Sequence, residues 1–489
     1  MSILVVDVGT SGVRGAVVRP DATVEHIHHV PVLPDTPFPG LVEFDGTAIA
    51  SAVAEVAARS LADGGPVAAV GIANQRASTL VWDRATGEPV GPGLGWQDLR
   101  TVGTCLELQA QGIRIAPNAS ATKLSAILDL ADPDRSRSER GELAFGTIDT
   151  WVAWILSDGA LHVTDASNAG VTGLIHGDGR GWSTSLLAAL RIPEAVLPAI
   201  VDSSGVLGTA TSLAGAPPIA GMAGDQQASL IGQSCTTAGQ AKATFGTGGM
   251  LDQCLGTDRP SQAVRGPAGT IPIIAWRRNG TDTWGIEAIM LSAGTCVEWL
   301  RDDLRIIADA ADSAAVAAAC DDTGDVWFVP ALLGLGTPVW DFGARGTFTG
   351  LTRGSGRPEL VRAVLEGVAH RGADLLEAAE ADSGLAVGAL RVDGGMTANP
   401  VFTQALADAC GRPVEVAPIL EATTLGAAFL AGMAMGTWAD EDDVAAAWIP
   451  RAEVLPTRSD AERTAARSRW LDARSRAEGA VPELSGIDF

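Results

Sequence analysis

Paired cysteines are missing from this chain. Its six cysteines (Cys105, Cys235, Cys254, Cys296, Cys320 and Cys410) stand singly, without the C-x-x-C spacing of a zinc site or redox motif. They read as buried thiols in a reducing compartment. Positive charge is also scarce: 34 Lys and Arg face 58 Asp and Glu, a formal net charge of -24. Such a field repels phosphate backbones and anionic headgroups, which argues against nucleic acid and membrane partners. Bilayer-length apolar runs are absent too, since the stretch Thr423 to Trp438 is short and glycine-rich. The first residues, Met1-Ser2-Ile3-Leu4-Val5-Val6-Asp7, carry no basic region and read as a strand rather than a signal peptide. No His/Cys/Asp cluster has metal-ligand spacing and no Ser/His/Asp order stands out, which disfavours a metalloenzyme or a hydrolase. His26, His28 and His29 read as exposed residues near the end of a hairpin, and His370 as part of a helix. Tyrosine is wholly absent. What remains is a soluble, cytoplasmic protein whose 46% hydrophobic content over 489 residues suffices for two or three cores.

The pattern that is present alternates strands and helices. Ile3 to Asp7 reads as a strand, Val8-Gly9-Thr10-Ser11-Gly12 as a tight turn and Val13 to Val18 as a returning strand. The same design recurs half a chain later, where Gln240 to Phe245 leads through Gly246-Thr247-Gly248-Gly249 into Met250 to Cys254. Two related halves follow, 1–237 and 238–489, with the break near Cys235 to Gly239. Short apolar strands (Val67 to Ile72, Val326 to Val329, Leu390 to Val392) alternate with segments of helical period, which predicts α/β layers. The clearest helix runs from Pro358 to Glu380, with a cap near Ser355 and Gly384 just past its end. Asp440 to Gly479 has helical spacing and reads as a surface helix.

Glycine-rich turns can bind phosphate through backbone amides without a cationic side chain. Asp7-Val8-Gly9-Thr10-Ser11 has the parts: glycine for close approach, two hydroxyls, and a carboxylate able to hold a metal through water. Two such hairpins can enclose a triphosphate. Neither is a Walker A loop or a dinucleotide fingerprint. A third turn, Val392 to Asn399, places two glycines at a strand end, where backbone could pass under an adenine and Asn399 could donate a hydrogen bond. Gly221 to Gln227 follows a strand end at Ala220 and puts Asp225 at the edge where open α/β sheets bind ligands, as a base for an attacking hydroxyl. Asn74-Gln75-Arg76-Ala77-Ser78 and Trp96 to Thr101 combine polar groups with an aromatic wall, the means of holding a polyol.

In order along the chain, these pieces resemble the FGGY carbohydrate kinase family, most closely its glycerol kinase branch. Asp7 to Arg14, Gly71 to Arg76, Trp96 to Thr101, Ala223 to Gln227, Phe245 to Gly249, Val392 to Asn399 and Glu421 to Phe429 carry much of the likeness, which omits only the last fifty or so residues. The resemblance implies two actin-like, ribonuclease-H-like domains with ATP in the cleft between them, and a homodimer. It implies that Asp225 is the general base, that Asp7 holds Mg²⁺ through water, and that Thr10, Ser11, Arg14 and Thr247 touch phosphate. Gly294, Gly395 and Asn399 match positions around ribose and adenine, and Arg76, Trp96, Asp225 and Gln226 match substrate contacts. The substrate pocket departs from the pattern at Ala77, where the family has glutamate, at Asn118, where it has tyrosine, and at Met250, where it has phenylalanine. Ala126 also replaces a tryptophan. Losing a buried acceptor removes roughly 1–3 kcal/mol of discrimination, so a small polyol or ketose of four or five carbons is expected ahead of glycerol. A non-catalytic ATP-binding switch is the reading from another class.

Overall fold

The computed structural model describes residues 1–262, 264–419 and 421–487. A 13-stranded sheet runs through both halves. Strand Ile3–Gly9 pairs antiparallel with Gly12–Val18 and parallel with Ala69–Asn74, which in turn pairs parallel with Pro218–Gly224. The second half repeats this wiring. Ala241–Phe245 pairs antiparallel with Gly249–Gly256 and parallel with Leu390–Asp393, which pairs parallel with Val414–Val416. The two sets meet where Ser204–Thr209 pairs with Ile271–Arg278 through one register pair, Ser204 with Arg278. The backbone N–H of Ser203 donates to the Arg277 carbonyl (2.8 Å) and the Arg277 N–H to Ser203 Oγ (3.0 Å).

Strands buried on both faces read as continuous apolar runs, and Ile3, Leu4, Val5, Val6 and Val8 are all buried. Helix Gly46–Gly64 covers one face with Ile49, Val53, Val56 and Ala57, its first turn closed by the Asp45 carboxylate accepting from Thr47 and Ala48. Helix Ala422–Ala434, from the second half of the chain, crosses back to cover the other face beside helix Asp225–Gly232. Only glycine allows that approach. A Cβ on Gly71 would lie 2.5 Å from the Ala427 carbonyl oxygen, and one on Gly426 would overlap the carbonyl of Ala228.

The long predicted helix spans Arg357–Ser383, with Pro358 in its first turn and Gly384 at φ 70° as its left-handed cap. Its N-cap is Gly356 rather than Ser355: the Glu359 carboxylate accepts from the Gly356 N–H at 2.9 Å. The tail differs more. Pro450 and Pro456 bracket strand Ala452–Val454 on the outer sheet edge, between helices Glu441–Ala446 and Asp460–Ala477, so the run read as one surface helix is three elements. Nor is its last helix only a surface element. Arg467 (2.6 Å) and Arg474 (3.2 Å) pair with Asp374 of the long helix, and Trp470 Nε1 donates to the same carboxylate at 3.0 Å. Burial alone would raise the Asp374 carboxyl, but three guanidiniums, Arg371 first, hold it down at about 2.

The histidine cluster also departs from expectation. His26, His28 and His29 lie on a third strand, Val24–Pro31. His28 pairs with Asp63 at 2.8 Å and His26 sits 3.2 Å from Arg19, so both are partly covered and only His29 is exposed. Among the described residues, no helix is long and apolar enough to cross a membrane.

Candidate active site

Strand Pro218–Gly224 continues beyond the predicted end at Ala220, so Asp225 opens helix Asp225–Gly232. One carboxylate oxygen accepts the Gln226 N–H at 2.8 Å and lies 3.4 Å from Arg76 Nε. About a third of the side chain is open to a cavity. Burial raises its pKa, with Arg76 the main opposing charge. Asp225, Arg76, Ala77, Trp96, Asn118, Gln226 and Met250, the complete set read from the sequence as substrate contacts, line a single cavity of about 420 Å³, together with Thr10.

Each wall has its own support. Arg76 follows strand Ala69–Asn74 and packs over Gly224, where a Cβ would come within 2.6 Å of Arg76 Cγ. Its Nη2 meets Glu287 Oε2 at 2.7 Å and Met250 Sδ at 3.9 Å, while Nη1 is buried without a hydrogen-bond partner. Ala77 adopts φ 61°, unusual for any residue with a side chain, and its carbonyl accepts from Ser120 Oγ at 3.0 Å. Trp96 Nε1 donates to Thr10 Oγ1 at 3.2 Å, tying the aromatic wall to the first hairpin. Lys123, buried, donates to the carbonyls of Trp96 (3.1 Å) and Asn118 (3.0 Å). Burial lowers its pKa to about 8. Gln226 Oε1 accepts from Lys242 Nζ at 2.6 Å, and Lys242 pairs with Asp252 at 2.7 Å with both side chains wholly buried. The polar run around Arg76 is only partly a pocket wall: Asn74 is buried, its amide exchanging hydrogen bonds with Asn168 at 2.9 and 3.0 Å.

The residues read as nucleotide contacts lie apart from this cavity, Thr10 excepted. Thr10 and Ser11 form the two-residue turn of the first hairpin. Arg14 stands directly across from Asp7 in the register, 3.8 Å away. Burial, opposed by Arg14 and assisted by Asp225, raises the Asp7 carboxyl to about 6. In the second hairpin the Thr247 carbonyl accepts from Ala293 N (2.9 Å) and Thr295 Oγ1 (2.8 Å), and Gly294 N donates to the Gly246 carbonyl at 2.8 Å. A Cβ at Gly294 would come within 2.6 Å of that carbonyl oxygen. Gly395 begins the short 3₁₀ turn after strand Leu390–Asp393, with open space where a Cβ would stand. Asn399 is more committed than a free adenine donor: its Oδ1 caps helix Pro400–Cys410 and its Nδ2 donates to Ser313 Oγ at 3.0 Å.

Among the described residues, no three His, Cys, Asp or Glu side chains gather into an ion site. Asp7, which feels the charge of Asp225, is a carboxylate able to hold Mg²⁺ through water, since that ion keeps most of its waters and takes few protein ligands. Glu287, Lys123 and Lys242 were not singled out from the sequence. Glu287 had one signal, an acid inside the apolar strand Thr281–Met290.

The duplicated sheet, its glycine-turn hairpins and the partly buried Asp225 at a cavity of about 420 Å³ fit the class of two-domain, actin-like phosphotransferases acting on hydroxyl groups. The chain matches the N-terminal domain of the FGGY family of carbohydrate kinases over residues 2–232 and its C-terminal domain over 241–435. It is 41% identical to the glycerol kinase of Aromatoleum aromaticum, over 98% of this chain and 99% of that protein. It is equally close to that of Carboxydothermus hydrogenoformans, at 41% over 97% and 98%. The crystal structure of Plasmodium falciparum glycerol kinase with ADP superposes with a TM-score of 0.91 at 27% identity, covering 100% of this chain and 99% of that one. Gluconate kinase from Lactobacillus acidophilus shares the fold (TM-score 0.86, 21% identity, 99% of each chain). The chain belongs to the FGGY carbohydrate kinase family.

Proposed function

We propose that this protein transfers the γ-phosphoryl group of ATP to a terminal hydroxyl of glycerol. The observation that carries the reading is the convergence of Asp225, Arg76, Trp96 and Gln226 on one cavity, in a chain 41% identical to glycerol kinases over nearly its full length. Asp225 accepts the proton of the attacking hydroxyl. Its raised pKa brings it nearer the range in which a carboxylate is an effective base. Arg76 holds Asp225 in place, and its partnerless Nη1 is a donor for a substrate oxygen. Thr10, Ser11, Arg14 and Thr247 contact the phosphates, with Gly294, Gly395 and Asn399 at the nucleoside. Mg²⁺, when bound, neutralises charge on the transferring phosphates, and Asp7 holds it through water.

The expected preference for four or five carbons yields first place to glycerol, because the relatives at 41% identity carry that name. A longer polyol stays as a second reading on one observation: the cavity of about 420 Å³, bordered by Ala77, Asn118 and Met250, falls in the ~300–1,000 Å³ range that holds much larger ligands. ADP release under Mg²⁺-ATP, followed with glycerol, erythritol, ribitol, xylulose and ribulose in turn, tests both. Glycerol should give the highest kcat/KM. A higher value for erythritol or a pentose compound establishes the second reading, and no ADP release with any of them rejects the kinase assignment in favour of an ATP-binding switch.

A further inference from the structure

We propose that Glu287 is the carboxylate that accepts a substrate hydroxyl in this chain, entering the pocket from the second half of the molecule at a site where residue 77 is alanine. The inference rests on the polyol kinase reading of the same cavity.

Four observations support it. Glu287 is a single acid between Ile286 and Ala288 on strand Thr281–Met290, is only 4% exposed, and lines the cavity with Asp225 and Arg76. Its position therefore costs solvation that some partner must offset. The one partner among the described residues is Arg76, at 2.7 Å. An ionised carboxylate has about four acceptor positions, and the buried Oε2 makes no hydrogen bond, so most of them stay unfilled at the border of the cavity. Buried acceptors in native proteins are seldom left that way.

Arg76 ties Glu287 to Asp225. Nε and Nη2 lie along the same edge of the guanidinium plane, with Asp225 3.4 Å from Nε and Glu287 2.7 Å from Nη2. One guanidinium therefore contacts both carboxylates at the cavity. If Asp225 receives the proton of the reacting hydroxyl, Glu287 is placed for a neighbouring hydroxyl of the same polyol. Partnerless Nη1 adds a donor on the adjoining edge. The charged groups around Glu287 are Arg76, Asp252 and Lys242, and burial, against the pull of Arg76, holds its carboxyl well above the usual range. A hydroxyl donor would favour its ionised form.

The competing role is that of a counter-ion that merely holds Arg76. The discriminating measurement is kcat/KM for glycerol and its two deoxy analogues, propane-1,2-diol and propane-1,3-diol, on the wild type, Glu287→Gln and Glu287→Leu, with ATP-dependent thermal shift as the check of folding. The wild type should prefer glycerol over one of the diols by roughly 10- to 100-fold. That preference should fall to a few-fold in Glu287→Leu and to an intermediate value in Glu287→Gln, which keeps shape and a neutral acceptor and carries the test alone if the leucine variant does not fold. Equal loss on glycerol and both diols, with the preference intact, assigns Glu287 to holding Arg76 and overturns the proposal. Absence of turnover of any polyol by the folded wild type removes the kinase reading and this inference with it.

Discussion

The two hairpins occupy equivalent places in the two halves, and each carries an oppositely charged pair directly across its strands. In the first, Asp7 faces Arg14 at 3.8 Å, with Arg14 38% exposed. In the second, Lys242 faces Asp252 at 2.7 Å with neither accessible. The same local design thus does different physical work. A loose, partly wet pair leaves its carboxylate free for other charges, and Asp7 accordingly responds to Asp225 as well as to Arg14. A sealed pair is structural, and Lys242 uses its remaining hydrogens to hold Gln226 and Thr244. The first hairpin is thus open around Asp7, and the second is closed where Lys242 holds Gln226 beside Asp225.

Asp225 lies within the field of both pairs, since its charge raises Asp7 and Lys242 lowers its own pKa. Replacing it should have the largest effect: Asp225→Asn is expected to reduce kcat roughly 10²- to 10⁴-fold while ATP still raises the melting temperature. Loss of ATP binding as well would assign Asp225 to nucleotide binding.

The sealed pair can be broken next. Lys242→Met leaves Asp252 charged and buried, which should cost about 3–5 kcal/mol, measured by denaturant unfolding. Replacing Asp252 by Leu in the same chain should recover most of that. If the single variant unfolds like the wild type, the contrast between the hairpins is wrong.

The open pair predicts the opposite sign. Asp7 has a folded pKa of about 6 against 3.8, so the folded state binds more protons and stability falls as pH rises through that window. Asp7→Asn removes this penalty. Its melting temperature should match the wild type near pH 4 and exceed it above pH 6, by up to ~3 kcal/mol in stability. Activity should meanwhile need more Mg²⁺, roughly 10- to 100-fold for a group acting through water. A stability difference that is flat with pH would show that Asp7 titrates normally.

The smallest effect is expected at the pocket wall. Ala77→Glu supplies a second acceptor and fills space, and should shift kcat/KM towards glycerol over erythritol by roughly 10-fold, read in the same ADP-release assay. No shift would mean that the wall at 77 does not face the substrate.

Much of this architecture was legible where local signals and tertiary placement agree. The two hairpins, the helix after Gly356 and the carboxylate at 225 each carry short-range marks: turn glycines, a proline in the first turn, an acid at a strand end. What escaped depends on residues distant in sequence. Glu287 becomes a site residue only because Arg76, over two hundred positions earlier, reaches its strand. The partners of Asn399 were hidden because neither the helix it caps nor Ser313 marks its side chain as partly engaged. Asn74 read as pocket-facing because its partner, Asn168, lies almost a hundred positions away. The tail read as one helix because its composition has helical spacing throughout, and only the two prolines reveal the edge strand.

Helices Asp225–Gly232 and Ala422–Ala434 meet through backbone at Gly232 and Gly426, where any side chain would overlap the carbonyls of Ala422 and Ala228. Asp225 is therefore mounted on a part of the molecule with little freedom to vary, whereas Ala77, Asn118 and Met250 border a cavity that has room to spare. Selection on such a scaffold meets a steep penalty at the mount and a gentle one at the wall. The pocket wall can then change while the carboxylate at 225 keeps its place.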